Sequence, residues 1–81
     1  MTAYTYHQDP GHGWIQVPLS EVERLNIKPS RYSYKDRAAA YLEEDCDAAQ
    51  WIEAKRAAGE PYTITERHTN ADSFIRSLPR F

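Results

Sequence analysis

Glu43, Glu44, Asp45 and Asp47 place four carboxylates within five consecutive positions. Side chains of this type at this spacing can do three things: cap a helix N-terminus, coordinate a hard cation, or attract a basic partner. Capping needs one or two of them, because only the first few amides of a helix lack partners. The spacing lacks the Asp-x-Asp-x-Asp-Gly pattern of a calcium loop, so the run is not expected to bind metal. What remains is a docking patch, in which clustered carboxylates raise the local potential and steer association with lysines and arginines. Tyr34 and Tyr41, upstream of the run, would add contact area with a polar tip.

His7, Asp9 and His12 form a second constellation within six residues. Two imidazoles and one carboxylate are a ligand set that zinc or iron can use, and a small metal-dependent or accessory enzyme is therefore the alternative to the docking reading. The spacing matches no established metal signature; turn chemistry explains Asp9, and a strand surface explains His7. Cys46 sits among the four carboxylates, which oppose thiolate formation, so it is expected to be a small buried or half-buried filler. The glycines of Gly11-His12-Gly13 precede a strand, with no Lys-Ser/Thr after them, and so do not make a phosphate loop. No catalytic residue and no cofactor are expected.

Positioning these groups is the task of a short chain. Its 81 residues, 41% hydrophobic and 12% aromatic, support a single domain over 1–81 with one small core, for which dimerisation would be a natural supplement. A net charge of −2 argues against a protein that grips nucleic acid phosphates directly. The single cysteine excludes an internal disulfide and fits a cytoplasmic setting. No apolar run is long enough to span a bilayer or to serve as a signal peptide core, so no membrane role is expected.

Alternation over 2–7 and 14–17, separated by Asp9-Pro10-Gly11-His12-Gly13, predicts a β-hairpin. Ser20-Glu21-Val22-Glu23 matches a capping box opening a short helix with Leu19, Val22 and Leu25 as its apolar stripe and Asn26 as its stop. A second hairpin, 31–34 with 38–43, turns at Lys35-Asp36-Arg37. The longest helix follows, capped by Asp45 or by Asp47 paired with Gln50, and stopped at Gly59 before Pro61. Its buried side is expected to hold Ala48, Trp51, Ile52 and Ala58, with Glu53 and Arg56 paired outside. Residues 62–67 read as a fifth strand projecting Tyr62 and Ile64 toward the core, and the tail 74–81 is apolar enough to pack back. The order ββαββαβ predicts an α+β fold with a mainly antiparallel sheet of four to five strands and two helices on one face.

Residues 9–18, 30–34 and 41–47, taken together, resemble a group of small proteins encoded by bacteriophages, prophages and plasmids. The resemblance covers most of the chain and implies a mobile-element setting in a host bacterial cytoplasm. Small acidic phage proteins include inhibitors of host defence, some of the anti-CRISPR type that cover basic nucleic-acid grooves. By that analogy the expected function is a non-enzymatic inhibitor whose residues Glu43, Glu44, Asp45 and Asp47, with Tyr34 and Tyr41, dock on a basic host protein surface such as a CRISPR effector complex. A homodimer with a structural or regulatory role is a further alternative.

Overall fold

The computed structural model describes residues 2–81. Strands Thr2–Gln8 (β1) and Gly13–Pro18 (β2) form the expected hairpin, in register with His7 opposite Trp14. Helix Leu19–Arg24 (α1) follows, then the short strand Tyr34–Lys35 (β3) paired with Ala39–Glu43 (β4), helix Asp47–Ala58 (α2), strand Tyr62–His68 (β5) and a single 3₁₀ turn at Phe74–Ser77. The sheet order is β3-β4-β2-β1-β5. Three of its pairings are antiparallel, and the fourth, β1 with β5, is parallel. The α+β class and the mainly antiparallel sheet hold, but the sheet is mixed: β5 arrives after a helical crossover, and such a connection returns the chain in the same direction.

Period-two alternation sorts the side chains of β1, β2 and β4 onto two faces. On one face Tyr4, Ile15, Val17, Ala40 and Leu42 pack against Val22 of α1, Ile27, and Ala48 and Trp51 of α2. Burying each valine, leucine or isoleucine of this set contributes about 1.5–3 kcal/mol. On the other face Trp14, Tyr34, Ala39 and Tyr41 pack under Ile75 and Leu78, so the C-terminal segment folds back as expected. An antiparallel bridge from Tyr34 to Arg80 extends that cover along the β3 edge. β4 lies between both layers, and all five of its residues are buried.

Several local expectations change. Neither helix has a side-chain cap: Pro18 and Cys46 occupy the N-cap positions, so neither the Ser20–Glu23 nor the Asp47–Gln50 capping box forms. The helix stops do form, with Asn26 and Gly59 at φ of 56° and 66°, in the left-handed region. On α2, Ala48 and Trp51 are buried as expected, but Ile52 and Ala58 are exposed and Lys55 takes the inward position. Trp51 and Lys55 are four apart and so share a face, and that face sits over the Tyr4 hydroxyl, which gives the ammonium a partner. Tyr62 is half-buried against Trp51 of α2, with ring centroids 4.7 Å apart, whereas Ile64, further along this edge strand, is 43% exposed. Among the described residues no helix is long and apolar enough to cross a membrane.

Candidate functional site

The chain leaves the sheet at the end of β4 and enters α2 within four residues, and this junction divides the acidic run. Alternation along β4 turns Glu43 onto the Tyr41 face, where it is buried and its Oε2 accepts the Asp45 amide at 2.9 Å. Asp47 is 1% exposed and points into the loop that precedes β3. Its Oδ2 accepts from the Ser30 amide and the Ser30 hydroxyl, both at 2.8 Å, and from the Ser33 hydroxyl. Ser33, itself fully buried, also accepts the Glu43 amide at 3.0 Å, so one hydroxyl ties β4 to the start of α2. Gln50 exchanges bonds with the Lys28 backbone at 3.2 and 3.1 Å, clamping the same loop one turn later. A buried carboxylate is stable only when its oxygens are filled, and these serines fill Asp47.

Glu43 and Asp47 therefore do not belong to a solvated docking patch. Glu44 and Asp45 remain, both exposed at the turn. The Tyr6 hydroxyl donates to Glu44, and burial, followed by that carboxylate, raises the phenol above its ordinary value. Gly13 is what admits this contact: a Cβ there would lie 1.9 Å from the Tyr6 oxygen. Tyr34 and Tyr41 are buried as well. Tyr41 donates to Asp36 at 2.7 Å, and burial together with that partner pushes its hydroxyl up to about 12. Tyr34 stacks edge-on to Trp14 at 6.1 Å with the Arg80 guanidinium 5.2 Å over its ring. The exposed tyrosine of the region is Tyr32, at 53%.

Beside the Glu44–Asp45 turn opens a cleft of about 380 Å³ that the sequence did not disclose. Trp14 and Tyr34 line it together with the acids Glu43 and Asp45 and the arginines Arg76 and Arg80, with Tyr32 and His12 also at its wall. These residues come from four separate segments, and only the fold-back of the tail brings the two arginines to the aromatics. Arg76 is held by Asp9, whose fully buried carboxylate takes Nε at 2.6 Å and Nη2 at 3.0 Å. Asp9 also accepts the amides of Gly11, His12 and Ser73, each at 3.0 Å. The Arg76 bond, followed by those amides, outweighs burial and holds Asp9 far below the usual carboxylate range. The Trp14 indole N–H, buried against this cleft's wall, has no hydrogen-bond partner among the described residues.

The trio His7, Asp9 and His12 is not a ligand set. His7 Nε2 pairs with Gln16 Oε1 at 2.8 Å, and Asp9 is filled by Arg76 and backbone amides. His12 instead approaches the acidic turn: among the described residues, ligand atoms of His12, Glu43, Glu44 and Asp45 converge within 4.8 Å of one another. A hard cation could use those carboxylates, although two of them already accept internal bonds. Cys46 is exposed rather than buried, and desolvation and the carboxylates of Glu43, Asp47 and Asp45 push its thiol up, away from a reactive thiolate. No family model, curated protein or solved structure matches the chain.

Proposed function

We propose that the protein is a non-enzymatic interaction module that presents Glu44, Asp45 and the adjoining aromatic cleft to a basic surface of a partner protein. The observation that carries this reading is the exposure of Glu44 and Asp45, the latter lining the cleft with Tyr32, on a turn whose neighbours Glu43 and Asp47 anchor it from below. Anchoring matters, because a rigid turn loses little conformational freedom when it binds. Two carboxylates set approach and register, while Tyr32 and the cleft supply area. The sharper form follows the resemblance: an inhibitor from a mobile element that covers the basic groove of a host defence complex in the anti-CRISPR manner. With two exposed acids rather than four, imitation of nucleic acid is confined to one step of a phosphate backbone.

The test is capture of host proteins on the immobilised chain, with a Glu44→Lys/Asp45→Lys double variant and a Glu53→Lys control. The account expects capture by the wild type and the control, none by the double variant, and loss of binding between roughly 50 and 300 mM salt. Equal capture by all three, or binding indifferent to salt, removes the mechanism. For the sharper form, the chain must also block DNA binding by a purified CRISPR effector complex.

A further inference from the structure

β5 is the one long strand with an unpaired edge among the described residues. The opposite edge, β3, is two residues long and is followed by the Tyr34–Arg80 bridge. β5 spans seven residues, six of them exposed and the first half-buried. The Thr69 amide donates to the Gln8 carbonyl at 3.0 Å. In a parallel ladder this fixes the alternation: odd-numbered residues of β5 bond to β1, and the N–H and C=O groups of Tyr62, Ile64, Glu66 and His68 point away from the sheet. Edge strands of monomers carry charges, proline or a bulge that discourage pairing; in β5 the charges are confined to Glu66 and Arg67 toward its end, and Thr63-Ile64-Thr65 has none of these.

We propose that this edge pairs antiparallel with β5 of a second copy of the chain, joining two five-stranded sheets into one. A two-fold axis normal to the sheet pairs residues on the same face, so it must pass through a residue. An axis at Glu66 would set that carboxylate against its own copy, and an axis at Thr65 would set Ile64 against Glu66. An axis at Ile64 opposes the two Ile64 side chains, places Thr63 opposite Thr65, and puts the Tyr62 hydroxyl, a donor, opposite the Glu66 carboxylate. Of these three registers it alone is complementary in charge and polarity, and unlike an axis at Thr63, which pairs Tyr62 with Ile64 but brings few residues of β5 into the ladder, it spans Tyr62 to Glu66 and covers the exposed isoleucine. The contact is isologous and closes on itself, so it yields a dimer rather than a fibre. It also explains why an 81-residue chain leaves a β-branched edge uncovered: the second copy extends a core that is small by itself. An edge-to-edge contact buries less than the roughly 1,200 Å² of a tight complex, so association is weak and concentration-dependent.

Sedimentation equilibrium from roughly 10 µM to 1 mM covers the range of such an interface. The wild type is expected to shift from its 9.4 kDa monomer mass toward twice that value. Ile64→Lys, a change at an exposed side chain, is expected to stay monomeric throughout with unaltered circular dichroism. Under mild oxidation, Cys46→Ser/Ile64→Cys should crosslink to a dimer, because hydrogen-bonded opposite residues bring their Cα atoms to about 5.5 Å, within disulfide reach. Cys46→Ser/Arg67→Cys should not, since its two copies lie far apart in this register. A wild type that stays at monomer mass overturns the proposal and leaves the edge to a foreign strand. A dimer that survives Ile64→Lys, or that crosslinks equally through position 67, overturns it too.

Discussion

Asp9 is the residue on which most of the second face depends. It accepts three backbone amides and a forked guanidinium, and two of those donors, Ser73 and Arg76, belong to the tail. Removing the carboxylate leaves buried donors unpaired, a class of change that costs about 3–5 kcal/mol when a buried charge partner is lost. Asp9→Ala should therefore lower stability by about 3 kcal/mol in urea titration and increase proteolysis within 73–81. The same residue governs acid behaviour. Its folded pKa lies below the ordinary 3.8, so its contribution is complete above that value and drains away as the pH falls through the folded one. Glu60, pulled down to about 2 by Arg24 and then Lys55, adds in the same direction. Stability measured against pH should be level between about 7 and 5 and fall below about 4. Asp9 was legible as a turn residue, since an Asp before Pro-Gly suits that role. Its arginine, 67 positions away, was not: no local pattern encodes a contact at that separation.

At the scale of elements, α2 shows how a charged residue can hold a core position. Lys55 is 2% exposed, and its Nζ reaches the Tyr4 hydroxyl at 2.8 Å, Glu60 at 3.0 Å and Glu21 at 3.5 Å. Glu21 also accepts Tyr4 and the Trp51 indole, each at 2.7 Å, so the network joins β1, α1 and α2. Burial alone would pull the Lys55 pKa down; the Tyr4, Glu60 and Glu21 contacts outweigh it and keep the ammonium charged. Lys55→Ala should cost about 3 kcal/mol, whereas Ile52→Ala, on the exposed side, should stay within about 0.5 kcal/mol, both read from urea unfolding. The helix itself, its Gly59 stop and its Ala48–Trp51 stripe were readable from spacing. The rest of the stripe was not, because hydrophobicity ranks isoleucine inside and lysine outside, and only the tyrosine and two glutamates gathered from other elements reverse that order. β5 followed the same logic in reverse: alternation announced the strand, but only the sheet order put Ile64 on an edge.

For the whole molecule, the division of the acidic run decides what the surface can do. Glu43 and Asp47 hold the β4–α2 junction to the Ser30–Ser33 loop, while Glu44 and Asp45 face outward beside a cleft built from the hairpin, the loop, the junction and the tail. Sequence spacing showed that the carboxylates cluster, and it placed the strand end and helix start correctly. It could not separate anchors from docking groups, because that depends on Ser30 and Ser33, which carry no capping or turn signature linking them to Asp47. The cleft was equally hidden, since its arginines come from a tail known only to be apolar. The most direct measurement is urea unfolding of Asp47→Ala against Asp45→Ala. The account predicts a loss of about 2–4 kcal/mol for Asp47→Ala, from the three serine donors it strands, and a change within about 0.5 kcal/mol for Asp45→Ala. Equal effects, or a larger loss at Asp45, would contradict it.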